Sequence, residues 1–161
     1  MGSLAERLRE LGRELPSRRS YGRYVGAARA GDLVFVSGAG PMGPDGAVIG
    51  KVGAEVDIPA AQEAARLCVL NCLAALKEEL GDLDSVTRVV KLLGFVNSAP
   101  GFTQQHVVMD GASELLLQLF GERGAHARSS VGMAELPLNI AVEVEMIVEA
   151  PRSVSGGTRR S

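Results

Sequence analysis

The sequence predicts an α+β fold: one mixed β-sheet with two long helices packed on one face, preceded by a further amphipathic helix. Two observations predict it. Apolar residues recur at helical spacing over 58–80 and again over 102–120, and they alternate at period two through the last strand. Helix and strand signals interleave in the order helix, β-β-(β)-α-β-α-β-β, and a chain of 161 residues buries such elements as a single two-layer domain. The domain itself is placed at 20–150, with the extra helix in 1–16 and a Ser-, Gly- and Arg-rich tail over 151–161 that is expected to be disordered.

The first helix is read from Leu4 to Leu15, with Leu4, Leu8, Leu11 and Leu15 on one stripe and Pro16-Ser17 ending it. Tyr24 to Ala28 and Asp32 to Ser37 follow as two strands, joined by a hairpin turn at Ala30-Gly31. Ser37-Gly38-Ala39-Gly40-Pro41 leaves the second strand as a loop. Gly43-Pro44-Asp45-Gly46 is a turn, and Val48-Ile49 a brief strand. The long helix runs from Ile58 to Leu80: Asp57 is its N-cap, Pro59 suits its first turn and Gly81 stops it. Ala61, Ala65, Cys68, Cys72 and Leu76 form its buried stripe, small enough to let the helix lie close on a sheet. Asp84 to Asn97 reads as a strand, Phe102 to Phe120 as a helix ended by Gly121, and Ala125 to Met133 as a strand. Leu136-Pro137 turns the chain into the last strand, Ile140 to Glu149.

That last strand carries Val142, Val144, Met146 and Val148 on one face, and Ala141, Glu143, Glu145, Ile147 and Glu149 on the other. A second face mixing apolar residues with carboxylates calls for cover by a partner subunit, and a homo-oligomer is expected.

Composition narrows the chemistry. Hydrophobic residues make up 46% and charged residues 22%, with a formal net charge of -2 and a sequence pI of about 5.7. Aromatic residues are only 4%, and Lys and Arg cluster no further than the pairs Arg18-Arg19 and Arg159-Arg160. Nucleic-acid binding, which needs basic clusters and stacking rings, is therefore not expected. Cys68 and Cys72, four apart on one helix face, match neither a Cys-x-x-Cys pair nor a zinc ligand set, so no metal or other cofactor is expected. Reduced thiols, no signal peptide and no membrane span together point to the cytoplasm.

Chemistry concentrates in Ala125-His126-Ala127-Arg128-Ser129-Ser130-Val131-Gly132-Met133. At period two His126, Arg128, Ser130 and Gly132 share one face, while Ala127, Ser129, Val131 and Met133 share the other, read as core. A guanidinium between an imidazole and a hydroxyl matches a small carboxylate, which it can hold with two N–H groups. The alternative from spacing alone is a sheet salt bridge from Arg128 to Glu143 or Glu145. Tyr24, Ser37 and Glu145 are further polar residues in apolar strands. No nucleophile elbow, P-loop or dinucleotide fingerprint is present.

These residues resemble a known family. Ala127-Arg128-Ser129, then Leu136-Pro137, then Val142-Glu143-Val144-Glu145 is similar to the signature of the RidA (YjgF) family of enamine/imine deaminases, long described as L-PSP endoribonucleases. Gly22-Arg23-Tyr24-Val25 and Phe35-Val36-Ser37-Gly38 followed by Pro41 are similar to its Gly-Pro-Tyr and Ser-Gly-Gln-x-Pro segments. The resemblance covers residues 20–150 and implies a divergent bacterial branch, a chorismate-mutase-like fold and a homotrimer with three pockets between subunits. It implies that Arg128 holds the carboxylate of a 2-imino or 2-enamino acid while Glu145 orients or activates a water, the products being a 2-keto acid and ammonia. It further implies that Tyr24, Ser37, Gly38, Asp110, His126 and Ser130 line the pocket. The chain departs from the pattern where Asp110 replaces an Asn, Ser130 a Cys, Ala39 a Gln and His126 a Pro. The alternatives are a carboxylate-binding protein without turnover, and the RNA cleavage or translation inhibition of the older family description.

Overall fold

The computed structural model describes residues 2–17 and 22–152. The pair Arg18-Arg19, the start of the expected domain at residues 20 and 21, and the tail from residue 153 lie outside the described residues.

Helix α1 spans Leu4–Glu10 and stops short of the expected Leu15. Ser3 caps it reciprocally with Glu6, and Gly12, at φ 63°, turns the chain out of the helix. Leu4 and Leu8 are buried, the Leu4 N–H donates to Asp84 Oδ1 at 2.9 Å, and Arg7 Nη1 donates to the Leu119 carbonyl at 2.5 Å. Arg13, just beyond, pairs with Glu63. The extension is thereby fastened to the back of the domain.

The first hairpin sits further along than the sequence suggests. Strands β1 (Ala27–Ala30) and β2 (Leu33–Ala39) pair with Ala30 opposite Leu33, so the turn is Gly31-Asp32 rather than Ala30-Gly31. Gly31 holds φ 61°, a conformation that favours glycine, and this sets the register. Tyr24 consequently precedes the strand instead of opening it. Strands β3 (Met42–Gly43) and β4 (Gly46–Ala47) flank the Pro44-Asp45 turn; Val48-Ile49 makes only an isolated bridge, from Ile49 to Ile140.

Helix α2 occupies Ile58–Leu80 as expected, with the Asp57 side chain accepting from the Ala60 N–H and Gly81 at φ 77°. Its small-residue stripe is fully buried, and Cys68 and Cys72 donate their S–H groups to the carbonyls of Val142 and Val144 at 3.4 and 3.3 Å. Burial pushes both thiols well above their ordinary pKa, so they are protonated packing groups and not nucleophiles. A 3₁₀ turn at Leu83–Ser85 displaces the start of strand β5, which spans Arg88–Asn97. Helix α3 spans Gln105–Phe120, strand β6 Ala127–Met133 and strand β7 Val142–Glu149.

The five-stranded sheet runs β1-β2-β7-β5-β6. Strand β7 is antiparallel to both β2 and β5, while β5 and β6 are parallel and joined through α3. Both long helices cover the face that holds Val142, Val144, Met146 and Val148, all buried. The other face carries Phe35 and Val131, 44% and 40% exposed, with Glu143 and Glu145 between them. Two helices on one side of a mixed sheet, with a third short helix at the N-terminus, is the architecture the sequence predicts.

Close approach of α3 to α2 depends on Gly111, where an added Cβ would lie 2.5 Å from the Gln62 carbonyl oxygen. Since that neighbour is backbone, Gly111→Ala is expected to lower the urea-unfolding free energy by about 1–3 kcal/mol through overpacking.

Candidate functional site

The crossover from β5 through α3 to β6 decides what Arg128 meets. Register places Leu92 beside Arg128, Gly94 beside Ser130 and Val96 beside Gly132. Leu92 and Val96 are buried under the helices, so Arg128, Ser130 and Gly132 also face the helix layer, and specifically α3. The opposite residues, Ala127 and Val131, are exposed; the face read as core in the sequence is the open one. The reason is that β6 is an edge strand on a sheet covered from one side only, and α3 arches over its polar row.

Glu143 and Glu145 do not pair with Arg128. Strand β5 stands between β6 and β7, and Glu145 sits opposite Leu93, on the other face of the sheet from Leu92 and Arg128. The sheet salt bridge is therefore absent, and Arg128 is bound by α3 instead. Its Nη1 donates to Asp110 Oδ1 at 2.9 Å and to Ser113 Oγ at 3.0 Å, and its Nη2 donates to the His106 carbonyl at 3.1 Å. His106, Asp110 and Ser113 are spaced four and three residues apart, which lines them along one side of the helix. Among the described residues at most three of the guanidinium's five N–H groups are engaged, and the side chain keeps 21% of its exposure.

A chain of hydrogen bonds continues from Ser113. Its Oγ lies 3.0 Å from His126 Nε2, and His126 Nδ1 lies 2.6 Å from the Gly124 carbonyl. A carbonyl can only accept, so Nδ1 carries the proton; Nε2 of the neutral ring then accepts from the Ser113 hydroxyl, whose lone pairs face Arg128. Burial holds the His126 pKa below its ordinary value. The bond to Gly124 opposes that, and the nearby Arg128 charge adds to it. Ser130 Oγ is buried beside Arg128 on the same row and has no hydrogen-bond partner among the described residues.

Tyr24, Ser37, Gly38 and Glu145 belong to a second cluster. Ser37 donates from Oγ to the Val25 carbonyl at 2.7 Å, tying the segment that carries the 56%-exposed Tyr24 to β2. The Glu143 side chain lies across the Cα of Gly38, where β2 is irregular in its pairing with β7. Burial and the neighbouring Glu145 raise the Glu143 pKa above the ordinary carboxylate value. Within one chain the expected site residues thus form two groups: Arg128, Asp110, His126 and Ser130 beneath α3, and the rest on or beside the open face. Sequence reasoning missed Ser113 and offered Glu143 or Glu145 as an alternative partner for Arg128, which strand order rules out. The i, i+3 spacing of Asp110 and Ser113 was the available signal for the former.

The family model of endoribonuclease L-PSP matches residues 16–150. The chain belongs to the endoribonuclease L-PSP (YjgF/RidA) family. This L-PSP protein is 44% identical to Protein TCP17 of Trypanosoma cruzi over 92% of its own length and 94% of that protein's. Its fold matches that of protein Atu1372 of Agrobacterium tumefaciens, a structure of unknown function, at a TM-score of 0.87. The identity there is 47%, over 93% of this chain and 94% of that one. It also matches the YjgF gene product of E. coli, at a TM-score of 0.55 and 25% identity over 81% of this chain and 90% of that one. Among the described residues of this L-PSP protein, no helix is long and apolar enough to cross a membrane.

Because the folded His126 pKa lies below 6.5, the unfolded chain takes up this proton first as pH falls. The associated stability is present above that value and is lost as pH drops toward the folded pKa. The fall in Tm between about pH 7 and about pH 5.5 is accordingly expected to be smaller in His126→Gln than in the wild type.

Proposed function

We propose that this protein hydrolyses reactive 2-imino and 2-enamino acids to 2-keto acids and ammonia in the cytoplasm, at sites completed between the subunits of a homotrimer. The observation that carries the reading is Arg128: a guanidinium held rigidly from behind by α3, with at least two N–H groups left for a ligand carboxylate. With the carboxylate clamped, a water adds its oxygen to the imine carbon. Glu145 takes one proton from that water and passes it to nitrogen, and the hydroxyl proton of the resulting carbinolamine follows it to nitrogen as the carbonyl forms. The C–N bond then breaks, and ammonia leaves as the carbonyl forms.

One chain keeps Arg128 and Glu145 on opposite sheet faces, which supports a site assembled from two subunits. The partly exposed apolar residues Phe35 and Val131 around the two glutamates support burial of that face in an assembly. Tyr24, Ser37 and Gly38 lie on the glutamate side and would join Arg128, His126 and Ser130 across the interface. No cofactor enters this chemistry.

A second reading, carboxylate binding without turnover, is favoured by one observation: Asp110 already neutralises Arg128. Ammonia release from freshly generated 2-imino acid separates the two. Arg128→Ala is expected to lower the rate at least about 100-fold. Co-expression of Arg128→Ala with Glu145→Gln is expected to restore part of it, since mixed assemblies contain sites with both side chains intact. Carboxylates that raise the Tm of the wild type but not of Arg128→Ala, with ammonia release no faster than buffer, would decide for binding alone.

A further inference from the structure

The ion pair at the head of the site has two free ends. Among the described residues Arg128 retains at least two N–H groups beyond its bonds to Asp110, Ser113 and His106. Asp110 uses only Oδ1 on Arg128, and its side chain is 49% exposed. Its second oxygen has no partner among the described residues. The pair sums to zero charge, and the neighbouring His126 is held toward its neutral form, adding no positive charge. A ligand offering only a carboxylate would gain Arg128 but meet the carboxylate of Asp110 directly beside it. A ligand carrying a protonated nitrogen on the carbon next to its carboxylate answers both groups, each with a charge-assisted hydrogen bond.

We infer that Asp110 is a specificity-determining residue: with Arg128 it forms a receptor for α-nitrogen carboxylates, binding the protonated nitrogen and rejecting the nitrogen-free acid. The inference rests on the carboxylate clamp at Arg128 proposed above. It deepens that reading by assigning opposite fates to the two ends of the reaction. A protonated 2-imino acid is gripped at both groups. Hydrolysis removes the nitrogen as ammonia, and the remaining 2-keto acid faces Asp110 with its negative charge alone. Loss of the nitrogen is then what releases the product. Polyanions are disfavoured at the same spot, because the basic group is already compensated.

Two stable probes test this, L-alanine and pyruvate, which differ at the α-carbon by an ammonium against a carbonyl. Binding is read by chemical-shift titration of the full-length protein. L-Alanine is expected to bind the wild type at least about tenfold more tightly than pyruvate, the scale of one charge-assisted hydrogen bond. Asp110→Asn keeps an oxygen that can accept from Arg128, so the guanidinium stays placed while the charge is removed. That variant is expected to reverse the order, gaining pyruvate affinity and losing L-alanine affinity. Equal binding of both probes by the wild type, with a ratio unmoved in Asp110→Asn, would overturn the inference. If Arg128→Ala then abolished binding of both, the clamp would stand without the selectivity. Tighter binding of pyruvate than of L-alanine by the wild type, or no binding of either at millimolar concentration, would also overturn it. The ammonia assay with Arg128→Ala judges the underlying activity independently of all these outcomes.

Discussion

Everything in this fold follows from the one-sided burial of β7. The strand lies in the middle of the sheet, between β2 and β5, and its Val142, Val144, Met146 and Val148 row is buried by the helices. Helix α2 reaches it closely because alanines and cysteines line its buried stripe, and the two thiols bond directly to β7 carbonyls. Period-two geometry then leaves Glu143 and Glu145 no choice of side. They lie on the uncovered face, so these two carboxylates are separated from the Arg128 guanidinium by the thickness of the sheet.

The second constraint is the parallel crossover. Parallel neighbours need a long connection, and α3 supplies it between β5 and β6. A helix that returns over an edge strand brings its own side chains onto that strand's polar row. Asp110 and Ser113 meet Arg128 for this reason, and Met109 fills the space above Gly94, where an added Cβ would collide with it. The Arg128 cluster is thus built from contiguous chain: 106 to 130 supplies the helix, the turn and the strand. Local segments of this kind hold a side chain rigidly at low entropic cost.

Much of this was legible in the sequence. Helix α2 was readable to the residue, since Asp57, Pro59 and Gly81 are local signals that tertiary contacts need not override. The alternation of β7 and the shared row of Arg128 and Ser130 were equally plain. What failed was long-range. The burial of the Arg128 row, and not of its opposite, depends on strand order, and nothing local says that β5 separates β6 from β7. Boundaries slipped where glycine geometry decided them, at Gly12 and Gly31, because a glycine marks a turn without fixing on which side of it the turn closes. For Ser113 the spacing from Asp110 places it on the right side of α3, but its partners, Arg128 and His126, are brought to it only by the crossover.

The clasp made by α1 has a consequence for how the chain is born. Its seven residues are made well before their anchors: Asp84 lies 80 residues beyond Leu4, and Leu119 lies 112 beyond Arg7. A helix this short does not persist alone in water. The segment must therefore wait, unstructured, until α3 has been made. It is among the last pieces to close on the finished domain, a latch that shuts onto the end of the helix that carries the site.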